Sequence, residues 1–115
     1  MELDEDRLDR IFMALSDRTR RAMLERLRNG PLTAGELAAG VSLRQPTVSK
    51  HLKVLEEAGL ISRQRDGTRI YGILAIDSLV KAATYVSRFE EQMEARLDRL
   101  AAIVEELREG EGEPT

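Results

Sequence analysis

Leu8, Ile11, Phe12 and Leu15 recur at helical spacing, with charged residues between them, and predict an amphipathic helix over residues 4–15. Ser16 or Asp17 is placed to cap a second helix running to Arg28, with Met23, Leu24 and Leu27 apolar. Asn29-Gly30-Pro31 ends it, because glycine suits a left-handed C-cap and proline cannot continue a helix. Thr33-Ala34-Gly35-Glu36 has the form of a capping box, and the helix it opens is short, running to Ala39 and ending at Gly40. Val41-Ser42-Leu43-Arg44 then reads as a tight turn. A fourth helix is expected over residues 45–58, with Pro46 in its first turn and Val48, Leu52 and Leu55 on one face.

The period changes after Gly59. Residues 60–65 and 69–74 are short runs with Ile, Tyr and Arg, and Asp66-Gly67 between them favours a hairpin turn. Asp77 is placed to cap a last helix over residues 77–108. Its Val86, Phe89, Met93, Leu97, Leu100, Val104 and Leu107 recur at steps of three and four, close to a heptad seam. A small domain cannot cover such a seam alone, so the seam is expected to be an interface. Residues 109–115 are read as a disordered acidic tail.

The predicted order is therefore helix, helix, helix, turn, helix, hairpin, helix. A short helix, a tight turn and a longer helix make a helix-turn-helix, and the ribbon after it makes a wing. The fold class is mainly α with a small β-hairpin: a winged helix-turn-helix. One domain is expected over residues 1–108, with a recognition helix at about 45–58 and a wing at 60–74.

Charge sharpens this picture. The whole chain of 115 residues carries a formal net charge of −3. Residues 17–76 nevertheless hold eleven basic and six acidic side chains, between acidic ends. A basic centre within an acidic chain fits a local nucleic-acid footprint, and the local footprint is what counts. The polar face of the fourth helix shows Gln45, Ser49, Lys50 and Lys53, and the wing carries Arg63, Arg65 and Arg69. Gln can bond adenine edges, and Lys or Arg can reach guanine acceptors or phosphates. Wing arginines suit adjacent phosphates or the minor groove.

Composition excludes other classes. The chain has no Cys and one His, so a disulfide or a tetrahedral zinc site of the usual ligands cannot be assembled from it. No cofactor or metal is expected. His51 is read as packing beside Leu52 with one ring nitrogen hydrogen-bonded. Arg20 is read as a partner of Asp17, and Arg21 is left between a phosphate contact and an ion pair. Glu90, Glu91 and Glu94 are read as a solvated face rather than a cation site. No nucleophile-and-base pair or phosphate loop is present, so the protein is expected not to be an enzyme. No membrane segment or basic leader is read, and a cytoplasmic location is expected.

The stretches IFMALSDRTRRAMLERL, TAGELAAGVSLRQPTVSKHLKVLEEAGLI and RQRDGTRIYGIL resemble the ArsR/SmtB family of bacterial winged helix-turn-helix repressors, over Ile11 to Leu74. The resemblance implies a homodimer built on the first and last helices. It implies an imperfect palindromic DNA operator, released when an inducer changes the dimer. It places Gln45, Thr47, Ser49 and Lys50 toward the bases. The interface set is then Leu8, Ile11 and Phe12 from the first helix, with Phe89, Met93, Leu97, Leu100 and Val104 from the last. Many relatives carry a capping Ser where Arg44 stands. Arg44 is therefore assigned to DNA, and Ser42 is the candidate cap, starting the helix two residues earlier. The cysteines or His/Asp sets of metal-sensing relatives are absent from the third and last helices, so any effector is expected to be non-metal and its identity is unread. The competing expectation is a winged-helix docking or dimerisation module without DNA specificity.

Overall fold

The computed structural model describes residues 4–112. The elements are α1 (Glu5–Leu15), α2 (Arg18–Leu27), β1 (Leu32–Thr33), α3 (Ala34–Val41), α4 (Gln45–Glu57), β2 (Ile61–Asp66), β3 (Arg69–Leu74) and α5 (Ile76–Gly112). The chain divides into two compact units, Met1–Ala82 and Ala83–Thr115.

The first unit is the winged helix-turn-helix. Its core takes Ile11 and Ala14 from α1, Met23, Leu24 and Leu27 from α2, and Leu37 and Ala38 from α3. Val48, Leu52 and Leu55 of α4, with Leu60 and Ile61 at the root of the wing, complete it. Each Leu, Ile, Val or Met side chain among them contributes roughly 1.5–3 kcal/mol by leaving water, and together they fix α4 by its apolar face. Leu8 is 5% exposed and Ile11 fully buried, whereas Phe12 is 39% exposed. The expected assignment of Leu8 and Ile11 to a dimer interface is therefore corrected: the protomer's own core uses them. Of that α1 trio only Phe12 presents appreciable surface.

Helix ends show why the chain turns where it does. Asp4 caps α1 and Asp17 caps α2, the latter accepting from the Arg20 N–H at 2.9 Å. The Arg20 side chain turns back onto the end of α1, where Nε donates to the Ala14 carbonyl and Nη2 to that of Met13, both at 2.8 Å. Arg21 Nη1 donates to the Leu15 carbonyl at 2.8 Å. These carbonyls lie in the last turn of α1, where the Met13 oxygen also accepts from Ser16, and a cation there suits the negative end of the helix dipole. The open choice for Arg21 thus resolves as a structural contact.

The capping box is present in both directions: Thr33 Oγ1 accepts from the Glu36 N–H at 3.2 Å, and Glu36 Oε1 accepts from the Thr33 N–H at 3.0 Å. Its helix runs two residues further than the glycine implied. Gly40 lies inside α3, and the left-handed residue is Ser42, with φ 56°. Ser42 therefore terminates α3 and does not start α4, which corrects its expected role as a cap. The helix begins at Gln45, and Arg44 at its N-cap makes no side-chain capping bond.

The sheet has three strands in the order β1-β3-β2, all antiparallel. The hairpin forms, but its tip lies one residue beyond the expected Asp66-Gly67: Asp66 ends β2 paired to Arg69, and Gly67-Thr68 make the tip. Gly67 has φ +65°, which the first position of such a tip requires. The two-residue strand β1 is additional. It pairs Leu32 with Gly72 and Thr33 with Tyr71, tying the start of α3 to the wing. Beneath the end of α4, the fully buried Ser78 Oγ accepts from Arg7 Nη2 at 3.1 Å. The same Arg7 nitrogen lies 3.4 Å from Asp77 Oδ2. Helix α5 starts at Ile76, so Asp77 lies in its first turn rather than at its cap.

The second unit is the remainder of α5. Tyr85 and Phe89 meet edge to face, with ring centroids 5.1 Å apart. Val86, Phe89, Met93, Leu97, Leu100, Ile103, Val104 and Leu107 are between 51% and 63% exposed and form the apolar stripe the spacing implied. The helix continues to Gly112, beyond the expected end at 108. The part of the expected tail at 113–115 lies outside the described residues.

Candidate nucleic-acid interface

Helix α4 is held by Val48, Leu52 and Leu55, so its other face must point outward. Gln45, Thr47, Lys50 and Lys53 are exposed and Ser49 is half-buried. Arg44 is exposed at the N-cap in an extended conformation, which frees its guanidinium from any capping duty. Pro46 in the first turn has no N–H to leave unsatisfied.

Between the start of α3, the start of α4 and the wing lies an open groove of about 680 Å³. Gln45, Arg63 and Arg69 all line it, so three residues distant in sequence converge on one surface. Their register explains part of this. Arg63 pairs with Gly72, whose missing side chain leaves the strand close to Leu27 and Leu52 and keeps the floor of the groove low. Arg63 Nε also lies 3.4 Å from Glu56 Oε1, which anchors the wing to the end of α4.

The groove does not gather every expected residue. Arg44 at the N-cap and Thr47, Ser49, Lys50 and Lys53 on α4 do not line it. Arg65 borders a separate depression with Pro31, Gln64, Asp66, Tyr71 and Ile73, and its Nε donates to the Gly67 carbonyl at 3.2 Å. The groove also takes Thr33, Glu36 and Thr68, which sequence reasoning did not place there. For Glu36 a signal existed: the N3 position of a capping box stands at the start of α3, close to where a helix-turn-helix meets DNA. The Thr33 backbone N–H, then the Thr33 side chain, and to a lesser degree the Arg69 charge hold the Glu36 carboxyl below its usual range. It is therefore an anion set among cations.

His51 is half-buried, and Arg20 Nη1 lies 3.4 Å from its Nδ1. In the tautomer with Nδ1 unprotonated, that nitrogen accepts from Arg20. The residue that fastens α1 to α2 thus also touches the middle of α4. Among the described residues no three His, Cys, Asp or Glu side chains come together as a metal site. Among them, too, no helix is long and apolar enough to cross a membrane.

Comparison with known proteins agrees with this geometry. A helix-turn-helix domain family matches residues 15–64. The chain is 46% identical over 81 residues to the HTH-type transcriptional regulator Rv2034 of Mycobacterium tuberculosis, covering 70% of this chain and 76% of that protein. It is 35% identical over 82 residues to the transcriptional repressor SdpR of Bacillus subtilis, covering 71% of this chain and 91% of that protein. The crystal structure of the ArsR family transcriptional regulator RHA00566 superposes with a TM-score of 0.74 at 32% identity, over 82% of this chain and 97% of that one. With the fold, the register and these relatives in agreement, the chain belongs to the ArsR family of winged helix-turn-helix transcriptional regulators, which bind DNA and are not enzymes.

Proposed function

We propose that this protein is a cytoplasmic homodimeric repressor that reads an imperfect palindromic operator and is released by a non-metal effector. The observation that carries the reading is the convergence of Gln45, Arg63 and Arg69 on one groove beside the exposed polar face of α4. In a helix-turn-helix the second helix enters the major groove and its N-terminal residues meet base edges. Arg44, Gln45, Thr47, Ser49 and Lys50 are assigned to that contact. Lys53 and Arg65 are assigned to flanking phosphates, and Arg63 and Arg69 to the minor groove. Two protomers joined through Phe12, Phe89, Met93, Leu97, Leu100 and Val104 would present two α4 helices to successive major grooves, about 10 bp apart or a multiple of it. The exposed α5 stripe supports this assembly, as does the family resemblance. Repression is supported by the relative that bears the name of a repressor. The non-metal effector is supported by the lack of any Cys in the chain.

The test is fluorescence anisotropy at two salt concentrations, on duplexes selected from a random library by the protein and on unselected duplexes. Binding to selected DNA should be tighter and should fall steeply with salt as counterions are released. Gln45→Ala should cost about 1–3 kcal/mol on the selected duplex and much less on random DNA. Equal losses on both would remove Gln45 from base reading. A failure to select any sequence would favour the docking module.

A further inference from the structure

The DNA-facing groove contains one anion, and its position is fixed rather than incidental. Glu36 stands at the N3 position of α3, where its Oε1 accepts from the Thr33 N–H at 3.0 Å while Thr33 Oγ1 accepts from the Glu36 N–H at 3.2 Å. The β1–β3 pairing ties Thr33 to Tyr71, so the carboxylate is anchored to the wing as well as to α3. It lines the same groove as Gln45, Arg63 and Arg69. The start of a helix, with unpaired N–H groups and a positive dipole end, would otherwise attract a backbone phosphate. Three nearby polar or cationic side chains would strengthen that attraction. Here the protein's own carboxylate already occupies the position.

We propose that Glu36 is a specificity-determining residue: its charge turns backbone phosphate away from the groove between α3, α4 and the wing, reserving Gln45 and Arg69 for the base edges of the operator. The inference rests on the DNA-binding reading above. A phosphate is the same in every sequence, so an anion that repels it weakens binding to all DNA. The operator recovers the loss through base contacts, whereas random DNA does not. Glu36 thus lowers unspecific affinity more than operator affinity. Thr33 holds the carboxylate below its usual range, so it stays charged throughout the neutral region.

Glu36→Gln separates this role from capping, because Gln at N3 also closes a capping box. Anisotropy is read on the selected duplex and on random duplex, with a thermal melt of each protein beside it. The melt should be unchanged. Affinity for random DNA should rise about three- to tenfold and that for selected DNA by less, so the ratio of the two falls. In an Arg69→Ala background the same change should have a smaller effect on that ratio, because Arg69 is one of the groups Glu36 reserves. An unchanged ratio with native stability would overturn the proposal, as would an equal rise on both duplexes. Should Glu36→Gln lower the melt, Thr33→Ser, which keeps both halves of the box, serves as the folded reference, and a ratio shift no larger than that reference shows would also overturn it. If the native protein selects no duplex and binds random DNA no better than a neutral protein does, it is the DNA-binding reading that has failed.

Discussion

The two units use the same kinds of residue in opposite ways. In the winged unit, apolar positions at helical spacing are spent inward: Ile11, Met23, Leu37, Val48, Leu55 and Leu60 are essentially inaccessible to water. In the second unit, the same spacing from Val86 to Leu107 leaves every member of the stripe more than half exposed. The first unit buries its own core and leaves Phe12 partly exposed. The second exposes a row of apolar side chains whose transfer from water would be favourable, at about 25 cal/mol per Å². Periodicity alone does not distinguish the two cases. What distinguishes them is whether neighbouring elements supply a facing surface.

The sharpest way to break the comparison is to make one truncation in each unit. Leu55→Ala should destabilise the winged unit by about 2–5 kcal/mol, because the cavity lies where α4 meets the core and little can collapse into it. Leu97→Ala should leave the stability of the unassociated protomer nearly unchanged, since Leu97 is 56% exposed there. Urea denaturation followed by circular dichroism at low protein concentration reads both. A large loss from Leu97→Ala under those conditions would mean that the stripe is already covered.

A second experiment sharpens it. Leu97→Asp with Leu100→Asp puts two charges into the stripe and should weaken self-association about 100-fold or more, which is about 2.7 kcal/mol. Sedimentation equilibrium measures this, and the thermal unfolding of the winged unit serves as the internal control. Loss of DNA affinity in parallel is expected, because a monomer offers a single α4 to a two-part operator. A change in mass without any change in DNA binding would separate the assembly from the function.

These contrasts also indicate what the sequence made legible. Helices α1 to α4 and the hairpin are specified locally, by apolar spacing, by the Thr33–Glu36 box and by the Gly67 turn, and those signals act within a few residues. The groove is legible only in part. Gln45, Arg63 and Arg69 could be named as polar or basic residues on the right elements. That they line one surface depends on the register of β3 and on the open side of Gly72, which are tertiary facts. Leu8, Ile11 and Phe12 share one apolar stripe, and the packing of α2 and α4 against α1 helps decide which of them face inward. Arg20 is read as a partner of Asp17, and Arg21 as a phosphate contact or an ion pair, because they are arginines near a helix start. Asp17 does interact with Arg20, but both guanidinium groups also donate to carbonyls six or seven residues back, at the end of the preceding helix. Ser42 is read as the start of α4 and not as the end of α3 because Gly40 offers the more obvious stop for α3. Strand β1 is two residues long, too short for any alternation to show.

The smallest expected effect concerns how the winged unit closes its helix ends, a device that depends on carboxylate charge as the apolar stripe does not. Asp17 caps α2, and the Arg20 N–H first, then the charges of Arg20 and His51, hold its carboxyl below the ordinary value. A depressed folded pKa means that the cap stabilises fully above the unfolded carboxyl's pKa, near 4. The contribution is lost as the pH falls through the lower folded value. Asp17→Ala should therefore cost about 1 kcal/mol at pH 7, and the gap from the native protein should narrow as the pH falls below about 4. Asp17→Asn keeps an N-cap acceptor without the titration, so its stability should change less with acid than that of the native protein. Denaturant unfolding of the three proteins at pH 7 and pH 3 checks both statements. A gap between native and Asp17→Ala that stayed constant across that range would show that the uncharged acceptor, rather than the carboxylate charge, does the capping.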